Sequence, residues 1–129
     1  MFTTKLNRIA IGKQIEELAI IYLQKKNLVL LEKNFRTKFG EIDLIFQNPL
    51  TKQIIFVEVR YRKSILFGDP AETITKLKQK KIIRTANYFL NNKFPNQPIY
   101  CRFDIIACTG QLDNIKINWI QAAFYANRA

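Results

Sequence analysis

The run Ile54-Ile55-Phe56-Val57 constrains this chain more than any other stretch. Successive strand side chains point to opposite faces, so four apolar residues in a row need cover on both sides. That describes an inner strand of a sheet flanked by helices. The same strand then places Glu58 and Arg60 two residues apart, followed by Tyr61, Arg62, Lys63 and Ser64. A carboxylate and a guanidinium in a strand built for burial require a reason.

The periodicity around this strand supplies the rest of the architecture. Residues 8–26 carry Ile11, Ile15, Leu18, Ala19 and Tyr22 at helical spacing, with Glu16 on the flank and Gly12 one turn before it. A mid-helix glycine costs up to about 1 kcal/mol relative to alanine, so a close approach by another element or a ligand is expected there. "LVLLEKNF" reads as a strand. "GEIDLIF" (40–46) alternates, with Ile42, Leu44 and Phe46 on one side and Glu41, Asp43 and Ile45 on the other. Asn48-Pro49 marks a turn, so 40–46 and 54–60 form a hairpin. Asp69-Pro70 with Glu72, and Thr75, are helix-start signals. The helix itself is expected over 76–92, with Leu77, Ile82, Ile83, Ala86, Phe89 and Leu90 facing in. "IYCRFDIIAC" and "IKINWI" are strands, and "QAAFYANRA" a short terminal segment. The expected fold class is α/β, a mixed β-sheet flanked by helices in the order α-β-β-β-α-β-β. At 129 residues a single domain, 1–129, is expected.

The hairpin predicts a constellation. If Asn48 faces Gln53, Asp43 stands opposite Glu58 and Glu41 opposite Arg60, and strand alternation puts Asp43, Glu58 and Arg60 on one face. Opposed side chains start about 4.5–5.5 Å apart. Two carboxylate charges about 4 Å apart repel by about 4 kcal/mol at an effective dielectric of about 20. A divalent cation, Arg60 or a shared proton would relieve that. Oxygen ligands of this kind suit Mg²⁺ at a phosphodiester. The plainer reading is an ordinary Glu41–Arg60 ion pair, with Asp43 and Glu58 satisfied by lysine or backbone donors.

Charge and composition narrow the partners. The chain has 21 Lys and Arg against 10 Asp and Glu, a net charge of +11, which favours a polyanion. Nucleic acid is preferred over a membrane surface, since no basic helix keeps a bare, bulky apolar face. Lys76, Lys78, Lys80, Lys81 and Arg84, together with Arg36, Lys38, Arg62 and Lys63, form the expected footprint. Phe35, Phe39, Tyr61 and Phe67 neighbour these cations, where stacking on bases competes with packing as their role. No apolar run approaches the ~20 residues of a membrane span, and no signal-peptide core is visible, so a cytoplasmic location is expected. There is no histidine, which excludes His-based triads, and two cysteines alone do not make a zinc site. Cys101 and Cys108, on one strand, are expected to be reduced packing residues. Asp104 is expected to pair with Arg102.

The segments "GEIDLIF", "FVEVRYR", "FGDPAETIT" and "RFDII" together resemble the YraN-like proteins. These are small bacterial proteins predicted to be nucleases, similar to archaeal Holliday-junction resolvases and placed in the restriction-endonuclease-like, PD-(D/E)xK superfamily. The resemblance runs from about Gly12 to about Asp104. Near the start the family pattern is roughly G-x-x-G-E, then Ala and Tyr-Leu; here Ile15 replaces the second glycine, and Glu16, Ala19, Tyr22 and Leu23 match. The resemblance implies a restriction-endonuclease-like fold and a Mg or Mn site of Asp43 and Glu58, with Glu16 approaching from the first helix and the Val59 carbonyl adding a ligand. It also implies a lysine in the E-x-K position, where this chain has Arg60, and it aligns the family's helix lysine with Lys78. Arginine is always protonated and does not act as a base. Two functions follow: a metal-dependent endonuclease on nucleic acid, DNA more than RNA and branched DNA by analogy, or a non-catalytic nucleic-acid-binding module. A two-fold substrate would suit a homodimer. A protein-interaction scaffold is the third reading.

Overall fold

The computed structural model describes residues 5–72 and 74–126. Thr73, the side chain of Phe67 and the end of the terminal segment, 127–129, lie outside the described residues. The elements follow the expected order: α1 (Lys5–Lys25), β1 (Val29–Thr37), β2 (Gly40–Gln47), β3 (Ile54–Arg62), a short 3-10 turn (Ile65–Phe67), α2 (Lys76–Lys93), β4 (Cys101–Thr109) and β5 (Lys116–Phe124). The five strands lie side by side in chain order. β3 and β4 run parallel and the other neighbours antiparallel. The parallel pair needs a crossover, and α2 is that crossover.

β3 is the middle strand, and Ile54, Ile55, Phe56 and Val57 are all at most 1% exposed. Their alternation feeds two cores. Ile55 and Val57 pack with Ile15, Ala19 and Leu23 of α1. Ile54 and Phe56 pack with Ile82, Ala86 and Phe89 of α2, where the Phe56 and Phe89 rings meet edge to face. Leu77 departs from the expected stripe and is 66% exposed, because it lies in the first turn, off the line through Ile82 and Phe89.

α2 starts at Thr75, whose hydroxyl accepts the Lys78 N–H at 3.2 Å. The upstream Asp69-Pro70 signal builds a turn instead. Asp69 accepts the Ala71 N–H at 2.8 Å, and Glu72 accepts the Asp69 N–H at 3.4 Å. At the other end of the chain, β5 runs on through Gln121, Ala122 and Ala123 to Phe124, longer than "IKINWI" implies. Asp104 makes this possible. Its buried carboxylate accepts Arg102 Nε and Nη2, Trp119 Nε1 and the Ala122 N–H, all at 2.9 Å, across a bulge where Ala122 has a φ of 52°. The expected Arg102 pairing is present, and burial pushes the Cys108 thiol up to about 11. No helix among the described residues is long and apolar enough to cross a membrane.

Candidate functional site

The β2–β3 hairpin closes as its turn residues dictate. Asn48 Oδ1 accepts the Leu50 and Thr51 N–H groups, and the Asn48 N–H donates to the Gln53 carbonyl at 2.9 Å. Pairing then runs Gln47–Ile54, Phe46–Ile55, Ile45–Phe56 and Leu44–Val57, the expected register. It stops there. The next pair would be Asp43 and Glu58, and the ladder opens into a fork instead.

The cause is a local rotation of β2. Ile42 and Ile45 both join the α2-side core, while Leu44 and Phe46 join the α1-side core. Strict alternation would have kept Ile42 with Leu44, so the chain turns over at Asp43. On the neighbouring strand β1, the pairs Lys33–Leu44 and Phe35–Ile42 bracket Asn34, which adopts a left-handed φ of 53°. Asparagine tolerates that conformation better than most residues.

Asp43 therefore does not sit above one face with Glu58 and Arg60. Its Oδ2 accepts the Val59 N–H at 2.8 Å, which places the carboxylate in the plane of the sheet, where a β2 carbonyl would otherwise be. Because N–H and C=O of one strand residue face the same side, the Val59 carbonyl is also directed into the fork. Burial pushes the Asp43 carboxyl up to about 7, and the charges of Glu58 and then Glu41 add to this; the Val59 N–H and Lys78 act in the opposite direction.

Glu58 and Arg60 lie on the α2 side. Glu58 Oε1 meets Lys78 Nζ at 2.6 Å, with Glu58 only 11% exposed. The Arg60 guanidinium donates to the Glu72 carbonyl of the loop before α2. Glu41, considered as a partner for Arg60, pairs instead with Arg36 of β1 at 3.1 Å. The cation beside the β3 carboxylate is thus Lys78, twenty residues downstream.

On the α1 side the fork opens into a pocket of about 330 Å³, bordered by Gly12, Lys13, Glu16, Asn34, Arg36, Asp43, Val59 and Tyr61 among others. Glu16 Oε1 accepts Asn34 Nδ2 at 3.1 Å. Glu16 thus borders the same pocket as Asp43, but among the described residues no three acidic, histidine or cysteine side chains gather into one metal-ligating cluster. Nothing lies within 4 Å of where a Gly12 Cβ would be, so the space that this glycine leaves is open rather than filled by another element. Asn34, Lys13 and Tyr61 escaped the sequence reading of this pocket. Packing between elements far apart in the chain, not any motif, brings them there.

The expected footprint residues divide. Lys38 and Arg84 both stand over the Phe39 ring, Arg84 at 4.1 Å from its centroid. Lys81 packs beside Gly40, where a Cβ would come within 3.3 Å of Thr85 Oγ1. Arg62 and Lys63 are exposed at the end of β3. Lys76 and Lys80 share a separate hollow on α2. Of the aromatics, Phe35 packs edge to face on Phe89, and the Tyr61 hydroxyl donates to the Gly110 carbonyl at 2.7 Å.

Residues 15–108 match the model of the uncharacterised protein family UPF0102. The chain belongs to that family. Among its relatives are the UPF0102 protein VP0448 of Vibrio parahaemolyticus, 49% identical over 88% of this chain and 90% of its own, and NE0719 of Nitrosomonas europaea, 45% identical over 88% and 92%. A Coxiella burnetii member is 43% identical over 88% of this chain and 90% of its own. The matched span includes Glu16, Asp43, Glu58, Val59, Arg60 and Lys78.

Proposed function

We propose that this chain binds nucleic acid and cleaves phosphodiester bonds as a divalent-metal-dependent endonuclease of the PD-(D/E)xK type, with DNA ahead of RNA. Branched DNA as the substrate follows from the resemblance to Holliday-junction resolvases. The observation that carries the proposal is the Asp43 carboxylate: half-buried in the fork, its oxygen accepting the Val59 N–H at 2.8 Å, with desolvation first and the Glu58 charge second pushing it up to about 7. Lys78 already pairs with Glu58, so Asp43 is the acid whose charge a bound cation would offset.

The donor set fits a hard cation. Asp43 and Glu58 supply carboxylate oxygens and Val59 a carbonyl directed into the fork, and Mg²⁺ commonly binds through one or two carboxylates, with waters and phosphate completing its shell. A bound Mg²⁺ or Mn²⁺ would supply water activation and neutralise charge developing on the phosphate. The chain's own residues do the remainder. Lys78 holds Glu58 in place and presents an ammonium at the reacting phosphate. Arg60, tethered to the Glu72 carbonyl, contributes fixed positive charge but no base. Glu16, braced by Asn34, and Lys13 and Arg36 line the approach from the α1 side.

The test is a Mg²⁺- or Mn²⁺-dependent cleavage assay on plasmid, single-stranded and four-way-junction DNA. Cleavage by the natural chain and its loss in Asp43→Ala are expected. A non-catalytic binding module is the second reading. It is favoured by Arg60 in the lysine position and by the lack of a third acid in the cluster among the described residues. It expects salt-sensitive binding that Asp43→Ala leaves intact, and no cutting by either protein. A protein-interaction scaffold expects no DNA or RNA binding even at low salt.

A further inference from the structure

We propose that the solvent-facing side of α2, together with Tyr125, is the path of an unpaired nucleic-acid strand, with one base stacked on the Tyr125 ring and successive phosphates on Lys76, Lys80 and Arg84. The inference rests on the nucleic-acid reading above and goes further in assigning the strand's route and its single-stranded character.

Lys76, Lys80 and Arg84 recur every four residues, so they form one row, each about 6 Å farther along the helix axis. The spacing matches neighbouring phosphates of an extended strand, not one compact anion. Beside the row is a hollow of about 270 Å³, lined by these three cations, Gln79, Ile83 and Tyr125. Among the described residues no acidic side chain lines it. Tyr125, just past β5, is 74% exposed. A ring left bare against a cationic row is the combination that single-strand sites use: aromatic faces for bases, cations for the backbone. Stacking of this sort needs an unpaired base, since bases within a duplex are already stacked on one another. Arg84 is preset for the task. Its guanidinium is held over the Phe39 ring at 4.1 Å, which leaves its edge donors free to grip phosphate oxygens. The row starts in the first turn of α2, the same turn from which Lys78 reaches Glu58. A lipid surface fits poorly, because Ile83 and Tyr125 are the only hydrophobic residues among the described ones lining the hollow, which gives a membrane few bulky anchors.

Binding is measured by fluorescence anisotropy in EDTA, with a single-stranded octanucleotide, a blunt duplex and AMP as probes, in an Asp43→Asn background that prevents turnover. Tyr125→Ala is expected to weaken single-strand binding about tenfold, leave duplex binding within about twofold, and recover with Tyr125→Phe. The triple variant Lys76→Ala, Lys80→Ala, Arg84→Gln is expected to flatten the single-strand log K against log salt slope by about 2, at about 0.7 per phosphate contact. Far-UV circular dichroism checks that each variant folds. Equal loss on both probes in Tyr125→Ala, no loss on either, an unchanged salt slope in the triple variant, or AMP bound as tightly as the octanucleotide overturns the inference. Failure of the parent protein to bind any nucleic acid at low salt instead defeats the function proposed above. Tight binding indifferent to these variants defeats only the α2 path.

Discussion

Replacing Asp43 with asparagine should stabilise the metal-free protein, and by an amount that depends on pH. In the fold, desolvation first and the Glu58 charge second push the Asp43 carboxyl up from its ordinary 3.8 to about 7. Between those values the native state holds a proton that the unfolded chain has lost, so unfolding releases it and stability falls as pH rises. Above about pH 7 both states are ionised and the native state carries the full penalty. Slightly over three pH units, at about 1.36 kcal/mol each, set a ceiling of about 4 kcal/mol. Asparagine keeps an oxygen for the Val59 N–H and carries no charge. The expected gain is therefore about 2–4 kcal/mol at pH 8, shrinking towards zero near pH 4. Urea unfolding followed by Trp119 fluorescence in EDTA, at intervals from pH 4 to 8, measures it. The difference between the two proteins cancels the titrating groups that do not interact with Asp43 and reports Asp43 together with its neighbour Glu58. Saturating Mg²⁺ should then stabilise the natural chain selectively, by about 2.7 kcal/mol at a hundredfold excess over Kd. A gap that does not change with pH, or an asparagine variant less stable at pH 8, would refute the picture of a carboxylate whose charge is disfavoured first by desolvation and then by Glu58.

Three further outcomes are expected. Lys78→Met should leave Glu58 without its 2.6 Å partner and lower cleavage at least about tenfold, whereas Leu77→Ala, next to it at an exposed position, should not; steady-state cleavage rates compare the two. Gly12→Ala should raise thermal stability by up to about 1 kcal/mol, since its Cβ meets nothing, yet weaken substrate binding if the open pocket receives the nucleic acid; calorimetry and anisotropy read the two effects separately. Asp104→Ala strips four hydrogen bonds and strands Arg102, and should cost about 3–5 kcal/mol in chemical unfolding.

Several features of the fold are legible in local pattern. The continuous apolar run announced β3 as a strand covered on both faces. The Asn48 turn set the hairpin register, and Thr75 marked the start of α2. Of the candidate site, only nearness along the hairpin was legible. Asp43, Glu58 and Arg60 are neighbours in the hairpin, but alternation predicted one shared face and missed the rotation of β2 at Asp43. Arg60 looked like the cation of the pair because it is two residues away. In the fold it is tethered to the Glu72 carbonyl, and Lys78 stands beside Glu58.

Short-range physics accounts for the parts that residue order alone settles: strand and helix periods, turn chemistry, caps and the net charge of +11. The charge is a sum over the chain, and each of the others depends on residues within a turn or a hairpin of one another. The Asn34 brace on Glu16, the Lys78–Glu58 pair and the exposed Tyr125 beside the α2 cations depend on how elements separated along the chain pack. A carboxylate's titration, too, follows from what the finished fold excludes from around it, since desolvation and neighbouring charge exist only once the layers have closed.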